Sequence, residues 1–503
     1  MKLTNKNNQI LKITKQRLAT STIHAIPNIV GTKQSLVKFI WFISFILSTC
    51  LCSQFIFKSL NEYFTYDVVS KLDITYKNEL TFPIVSFCHL NPFTTEYSRS
   101  LLSNISNLRS DNILIKTYLA QYYAKYKILN NNSSKKLGFD LKDVIVSCIF
   151  NYQNCNLDED FEHYYDIQYG NCYRYNSGRL KNGTKVNFKH LTQVGTLGSF
   201  QLELFLHNST NQNEDLFSSE NGFIIFISNE TIDSTVSEGI NISPGYSTKI
   251  KLEKYTISKQ SKPYSECTAG LLTSDSYDSI NYKLTFQKSA TYHYSDCLKV
   301  CFFRLIEEKC RCHHIYMGYD QNSNLRKCLF EDELFNENII NENDMICENE
   351  LWFESFSHNS TIIKQCDCPF ECQKSGYSYF TSFSQYPTRV HAKYLLENSE
   401  LIQTQFSNHP NLSLDLLGNH LSKLVIFYDE MKESKISQEI KYHLTDLISN
   451  IGGTLSLFLG LSFLSFIEII EIFISVMKVL CKQSSKYQNN FETFSKEYKE
   501  TKV

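Results

Sequence analysis

Small polar and acidic residues interrupt an apolar segment near the C-terminal end of the chain. Residues 447–467 carry no charge, and a helix rising about 1.5 Å per residue would cross a bilayer core of about 30 Å over this length. Glycines and serines are spread through it, and Glu468 and Glu471 follow directly. Small residues can expose backbone carbonyls, and an intramembrane carboxylate usually faces a water-filled path. The residue types predict a pore-lining helix; the alternative is that glycine and serine only pack helices here.

A second uncharged run, residues 39–57, lies between Lys38 and Lys58. It is far from Met1 and lacks a small-residue cleavage signature, which favours a permanent first membrane span over a signal peptide. The tail before it holds seven lysines and arginines and no acidic residue, so the positive-inside rule places the N-terminus in the cytoplasm. Two spans return the chain to the same side, so the C-terminus is expected there too. The expected organisation is a cytoplasmic tail (1–37), a first span (38–60), an extracellular domain (61–440), a second span (441–478) and a cytoplasmic tail (479–503).

The segment between the spans has the marks of an extracellular domain. Fourteen of the seventeen cysteines fall there, an even number that predicts seven disulfides in an oxidising compartment. All candidate N-glycosylation sequons also fall there, although an Asn-rich chain acquires sequons by chance. These are Asn104, Asn131, Asn132, Asn182, Asn208, Asn229, Asn241, Asn359 and Asn411.

Hydrophobic patterning predicts the elements that hold this domain together. Residues 84–88, 198–206, 223–227, 248–252 and 424–427 favour β-strands, whereas 94–166 is polar and typical of helix. In the cysteine-dense part, residues 297 and 301 would share one helix face and 366 and 368 one strand face. Laid antiparallel, these pairs would form two rungs of a disulfide ladder.

Two other classes of function find little support. The net charge of −2 shows no basic excess for nucleic acid, and there is no phosphate-cradling glycine loop or nucleophile elbow to indicate an enzyme. A zinc site at Cys310, Cys312, His313 and His314 is the remaining alternative, and the even cysteine count favours disulfides over it.

Taken together, these landmarks resemble the degenerin/epithelial sodium channel family, which includes acid-sensing and peptide-gated channels. The similarity covers the chain from the first span to the end of the second, except 94–166 and parts of 320–360. The matching motifs are Phe82-Pro83 through Cys88 to Asn91-Pro92-Phe93, Gly170-Asn-Cys-Tyr173, Ser243-Pro-Gly245, Pro263-Tyr-Ser-Glu-Cys267, the cysteine ladder, and Gly452-Gly453 through Gly460-Leu461-Ser462 to Glu468.

The resemblance implies an α+β membrane protein with two transmembrane helices flanking a large disulfide-rich domain. That domain would have a palm, β-ball, knuckle, finger (94–166) and thumb (294–372), and by the same resemblance the protein would be a trimer. Assembly of more than one chain also follows from geometry, because two helices per chain cannot enclose an aqueous path. The implied disulfides are Cys88–Cys172, Cys148–Cys155, Cys267–Cys372, Cys297–Cys368, Cys301–Cys366, Cys310–Cys347 and Cys312–Cys328.

It also implies roles for residues of the second span. Gly460, Leu461 and Ser462 would form the selectivity filter, with three copies offering carbonyls and hydroxyls to a small cation. Ser449, Asn450, Gly452 and Gly453 would form the gate, at the site where bulk holds related channels open. Ser456 falls at the position associated with amiloride block. Glu468 and Glu471 could form acidic rings near the cytosolic mouth.

The chain departs from the family pattern at several gating positions. The family's His-Gly is here His24-Ala25, and glycine would matter if that position needs a positive φ. Acid-sensing members carry paired histidines after the tyrosine matching Tyr66, where this chain has Asp67 and Val68. Tyr264 occupies the place of a tryptophan that packs on that tyrosine, so a contact between Tyr66 and Tyr264 is expected to couple the ectodomain to the pore. Asn450 replaces the Asp that is usual in acid-sensing members, so an outer acidic ring, with calcium as a candidate ion, would come from Asp67 or Asp446.

The predicted function is a subunit of a trimeric, ligand-gated, amiloride-sensitive, sodium-permeable channel of the plasma membrane, opened by an extracellular neuropeptide. Expected partners are related subunits in a homo- or heterotrimer, membrane lipid and the peptide, with no nucleic acid and no cofactor. Alternatives are a proton-gated, mechanically gated or constitutive channel of this family, and a two-span glycosylated receptor or scavenger without a pore. An ATP-gated channel ranks below these, because its cysteine pattern lacks the ladder.

Overall fold

The chain divides into two compact units, residues 1–69 with 439–503 and residues 70–438. The computed structural model describes residues 15–17, 19–98, 100, 134–166, 168–179, 184–207, 220–229, 239–288, 292–314, 325–326, 328, 343–344, 346–348, 350–351, 361–408, 413, 416–474 and 477. The predicted C-terminal tail, 479–503, lies outside these residues.

The helices and strands of the described residues follow in chain order. The helices are α1 (Ala25–Gly31), α2 (Ser35–Phe64), α3 (Leu141–Val144), α4 (Ile280–Lys288), α5 (Tyr294–Cys310), α6 (Thr361–Gln365), α7 (Arg389–Asn398), α8 (Glu400–Asn408), α9 (Leu444–Leu459) and α10 (Phe463–Ile474). The strands are β1 (Val68–Tyr76), β2 (Leu80–Thr81), β3 (Ile84–His89), β4 (Ile145–Phe150), β5 (Gln153–Asn154), β6 (Phe161–Asp166), β7 (Gly170–Tyr175), β8 (His190–Leu191), β9 (Ser199–Phe205), β10 (Phe223–Ser228), β11 (Ile240–Ile242), β12 (Tyr246–Ser258), β13 (Cys267–Thr268), β14 (Phe370–Glu371), β15 (Gln373–Gln385) and β16 (Leu421–Ile440).

In the first unit, α2 runs for 30 residues through the predicted first span. It is the one helix in the described part of the chain that is by itself long and apolar enough to cross a membrane. The rings of Phe55 and Phe458 stack with centroids 5.6 Å apart, so α2 and α9 pack side by side. The prediction of one continuous helix over 447–467 is wrong: α9 and α10 meet at a bend of 70°. The reason is Gly460, whose left-handed backbone ends α9.

The second unit is built on two larger sheets. A seven-stranded sheet has the order β15-β12-β16-β9-β4-β5, with β1 also paired to β16, and a five-stranded sheet has the order β11-β10-β3-β7-β6. Within the first, β12 and β16 run parallel, and the five-stranded sheet is antiparallel throughout. The strands predicted at 84–88, 223–227, 248–252 and 424–427 are present as β3, β10, β12 and β16.

Aromatic side chains fill the core between these sheets. The ring of Tyr175 from β7 stacks on Phe200 from β9 at 4.4 Å between centroids, and Phe82 packs on both. All three are almost completely buried, and burial of each such side chain contributes on the order of 2 kcal/mol. The two sheets are therefore joined by packing as well as by chain connections.

Seven disulfides reinforce the second unit, and their partners are the pairs that the family resemblance implied. Cys88 and Cys172 lie directly opposite on β3 and β7, and two rungs join α5 to the segment after α6. The full set is Cys88–Cys172, Cys148–Cys155, Cys267–Cys372, Cys297–Cys368, Cys301–Cys366, Cys310–Cys347 and Cys312–Cys328. The sulfurs of the alternative zinc site are thus already bonded.

Two local expectations need correction. The segment holding Cys366 and Cys368 is a turn rather than a strand, because Asp367 between them adopts a left-handed φ of 48°. The prediction of helix over 94–166 fails where the structure describes it after residue 144, since β4, β5 and β6 occupy 145–166. The apolar, β-branched start of β4 pairs with β9, so burial in the sheet overrides the polar average of the region.

Most of the candidate glycosylation sites lie outside the described residues, namely Asn104, Asn131, Asn132, Asn182, Asn208, Asn359 and Asn411. The two described are Asn229 and Asn241. Asn241 is exposed on β11 and donates from Nδ2 to Glu220 at 2.6 Å. Asn229 donates to Ser375 Oγ at 3.0 Å. Glycosylation of all nine stays a prediction.

Candidate functional site

The break between α9 and α10 is formed by three residues, Gly460, Leu461 and Ser462. Gly460 has a φ of 67° and its N–H donates to the carbonyl of Ser456 at 2.9 Å. The N–H of Leu461 donates back to Leu455 at 3.3 Å. This is the geometry in which glycine closes a helix, and a helix end leaves carbonyls without intrahelical donors. The three residues predicted as a filter are therefore the residues at which the helical backbone is interrupted.

The start of α10 is fixed by a serine pair. The N–H of Ser462 donates to Ser465 Oγ at 3.1 Å, and the N–H of Ser465 donates to the Ser462 carbonyl at 3.0 Å. These two bonds satisfy donors at a helix N-terminus as a capping box does. Ser465 is only 1% exposed. From the sequence, Ser465 was one of the small residues that interrupt the apolar segment, and its position three residues after Ser462 was the signal for this cap.

His24 packs directly against the break. A Cβ atom placed on Gly460 would lie 2.9 Å from both Cγ and Nδ1 of the His24 ring, so glycine is required here by space as well as by its backbone angle. Ala25 is the first residue of α1 and is not among the residues with positive φ. The conformation at this position does not need glycine, which answers the question raised by the His24-Ala25 sequence.

The two acidic residues after the break are bound by the N-terminal segment. The backbone N–H of Thr22 donates to Glu468 Oε2 at 3.0 Å, and its hydroxyl lies 2.8 Å from Ser465 Oγ. Arg17 forms an ion pair with Glu471 at 2.8 Å. Residues 465, 468 and 471 are spaced by three and therefore share one face of α10. Neither Arg17 nor Thr22 was singled out from the sequence, since 446 residues separate Thr22 from its carboxylate.

The predicted gate residues lie along α9. Ser449, Gly452, Gly453 and Ser456 recur at helical spacing and are all exposed in the single chain, as is Asn450. Among the described residues, apart from the backbone of the same helical turns, no atom lies within 4 Å of a Cβ added at either glycine. One face of α9 is therefore made of small and polar residues that lead up to the break. Phe458 of the same helix packs on α2.

At the other end of the two long helices, the predicted outer acids are both engaged. The Lys441 side chain donates to Asp67 Oδ2 at 3.1 Å, and its backbone N–H donates to the Asp67 carbonyl, also at 3.1 Å. Asp446 accepts from the N–H of His443 at 2.9 Å and so caps the start of α9. Lys441 was not foreseen from the sequence. A divalent ion at Asp67 would have to compete with the ammonium group of Lys441.

The predicted coupling residues are in different units of the structure. Tyr66 follows α2 with a left-handed φ of 54°, and its ring meets Phe64 edge-on at 6.3 Å. Tyr264 belongs to the second unit, where its N–H donates to the Ser261 carbonyl at 3.1 Å. Contact between Tyr66 and Tyr264 stays a prediction.

Within the second unit, carboxylates on the seven-stranded sheet are paired with amines. Glu433 on β16 contacts Lys77 and Lys254; the hydrogen bond from Lys77 is the main reason that its pKa is lowered. On β9, burial alone would raise the pKa of Glu203, but the Lys423 ammonium 2.9 Å away holds it below its usual value. Both groups are therefore ionised at neutral pH, and each is neutralised by a fixed positive charge.

Comparison with known proteins places these features in context. A family model described as "Amiloride-sensitive sodium channel" matches residues 18–472. Acid-sensing ion channel 1 of Gallus gallus is 24% identical, over 94% of this chain and 86% of its own. The FMRFamide-activated amiloride-sensitive sodium channel of Cornu aspersum is 22% identical, over 93% and 84%. The bile acid-sensitive ion channel of Homo sapiens is 24% identical, over 92% and 86%.

Proposed function

The chain belongs to the amiloride-sensitive sodium channel family, and from that premise we propose that it is a subunit of a trimeric, ligand-gated, sodium-permeable cation channel of the plasma membrane. Membership places the chain among ion channels rather than enzymes. It leaves open what opens the channel, because relatives of similar identity are named for acid, a peptide and bile acid.

The observation that carries the proposal is the interruption of the helix at residues 460–462. Three copies around an axis would bring three sets of backbone carbonyls and Ser462 hydroxyls together, and such a ring can replace part of the hydration shell of sodium. The small, exposed face of α9 supports its use as the wall of a water-filled path. Amiloride block at Ser456 and a gate at Ser449 are proposed on the same face.

The opening stimulus that we propose is an extracellular peptide. A peptide-activated relative covers nearly the whole chain, and Asp67 and Val68 stand where acid-sensing members carry paired histidines. The described carboxylates Glu203 and Glu433 lie against lysines. A carboxylate whose pKa is lowered by a lysine takes up no proton in mildly acidic solution.

Conduction and gating can be tested separately. Introducing bulk at the proposed gate, as in Ser449→Phe, should produce a standing, amiloride-blocked sodium current in voltage-clamped oocytes even when the stimulus is unknown. Ile448→Phe is the matched control, because it adds the same ring to the neighbouring exposed position on another side of α9. Surface biotinylation corrects for expression. Equal currents from both variants, or none from either at normal surface level, would argue against the proposed gate.

The stimulus is tested by application of a panel of amidated neuropeptides and of pH steps to the wild-type chain. We expect current with a peptide and none between pH 7.4 and pH 5. A response to acid with none to any peptide would overturn peptide gating and leave the channel itself intact. Co-expression of related subunits follows if the chain alone is silent, because a heterotrimer is the other assembly expected.

A further inference from the structure

One face of α10 holds the N-terminal segment at two points. Ser465 and Glu468 bind Thr22, and Glu471 binds Arg17. We refer to residues 465, 468 and 471 as the docking face. The contacts at Arg17 are half-exposed, so this end of the attachment is held mainly by charge and is sensitive to any new charge nearby.

Thr20 lies between the two attachment points. It is exposed, and its hydroxyl donates to the carbonyl of Arg17 at 3.1 Å, which places it on the same turn as that arginine. Thr22 is only two residues further on, a span of at most about 7 Å along the chain. A negative charge on Thr20 would therefore stand close to Arg17 and to the carboxylates that the segment binds.

The residues before Thr20 have the charge pattern that arginine-directed protein kinases select. Arg17 is three residues upstream and Lys15 five, with no acidic residue in the tail. Neighbouring hydroxyls lack this pattern, because the residue three positions upstream is Leu18 for Ser21, Ala19 for Thr22 and Ile29 for Thr32.

We propose that Thr20 is a phosphorylation site for an arginine-directed kinase and that the phosphate releases the N-terminal segment from the docking face. In the transfer, Thr20 Oγ forms a bond to the γ-phosphorus of ATP, the bond from that phosphorus to the β–γ bridging oxygen breaks, ADP leaves, and the hydroxyl proton passes to the kinase base. The regulatory consequence rests on the proposed channel function and on a cytoplasmic N-terminus, where such kinases act.

Two electrostatic effects act in the same direction. The phosphate carries a charge of about −1.5 to −2 and binds arginine strongly, so it competes with Glu471 for Arg17 on its own turn. It also repels Glu468 and Glu471, whose partners Thr22 and Arg17 lie two and three residues from Thr20. With screening at physiological salt, these effects together should reduce docking by about fivefold or more.

Disulfide trapping measures the docking of the N-terminal segment on α10 and needs no recording of ionic current. Thr22→Cys and Ser465→Cys replace two hydroxyl oxygens 2.8 Å apart, in a full-length background with Cys50, Cys52 and Cys481 changed to serine. The protein is purified in nanodiscs, incubated with ATP and the catalytic subunit of an arginine-directed kinase, then oxidised. We expect phosphate on Thr20 by mass spectrometry and about fivefold slower cross-linking; T20A should cross-link at the untreated rate with or without kinase.

The results separate this inference from the channel assignment. Absence of phosphate on Thr20, or a cross-linking rate that phosphate leaves unchanged, overturns the inference whether or not the chain conducts. If phosphate slows cross-linking, the same treatment in excised patches should change wild-type current and leave T20A current unchanged. Slowed cross-linking in a chain that carries no current in any subunit combination would instead refute the proposed function.

Discussion

Substitution of Gly460 by alanine separates the two reasons for glycine at the break. A residue with a Cβ adopts the left-handed conformation at a cost of about 1–2 kcal/mol. The added Cβ would also lie 2.9 Å from Cγ and Nδ1 of His24, and forcing such a contact typically costs about 1–3 kcal/mol. G460A should therefore destabilise the break by about 2–5 kcal/mol in total.

Removal of the ring should recover only the second part. The double variant H24A/G460A keeps the backbone strain but loses the clash, so a double-mutant cycle should give a favourable coupling of about 1–3 kcal/mol. The assay is the cross-linking equilibrium between cysteines at 22 and 465, with thermal unfolding of purified protein as a second readout. H24A alone controls for lost ring packing.

A clash with His24 is excluded if G460A has the same effect in the wild-type and H24A backgrounds. Equal effects would mean that His24 does not occupy the space beside Gly460. A G460A protein indistinguishable from wild type in both assays would further exclude the left-handed backbone at this residue.

Three further predictions follow from ion pairs and disulfides outside the break. Lys441→Gln should free the Asp67 carboxylate and lower the external calcium concentration for half block by about threefold or more, with no effect in a D67N background. Glu203 has a lowered pKa, so its stabilising pair with Lys423 is fully present above the unfolded pKa of about 4.5 and is lost as pH falls through the folded value; E203Q should flatten thermal stability between pH 5 and pH 3. Cys301→Ser removes one rung of the ladder and should destabilise the ectodomain by about 2–5 kcal/mol, seen as lost surface expression at 37 °C that lower temperature restores.

Patterns that are local in sequence predicted much of this structure. An uncharged run bracketed by lysines gave α2, and alternating apolar residues gave strands such as β3 and β10. The spacing of Cys297 and Cys301 placed both on one face of α5. In each case, the residues that determine the element lie within a few positions of one another, so periodicity alone carries the information.

The rest depends on contacts between distant residues. Composition made 447–467 look like one helix, and only the backbone angle of Gly460 together with the His24 ring shows why it is interrupted. The docking of Thr22 on α10 joins residues more than 440 positions apart, which no periodicity reports. The acids at 468 and 471 could be found from sequence, but not their partners.

We propose that residues 460–462 select the permeant ion. The most direct measurement is the shift in reversal potential when external sodium is replaced by potassium, compared between Ser462→Leu and the reciprocal control Leu457→Ser, which changes a highly exposed residue of α9. We expect lost conductance or a changed sodium preference in S462L and wild-type behaviour in L457S. Wild-type current and reversal potential in S462L, at equal surface expression, would contradict it.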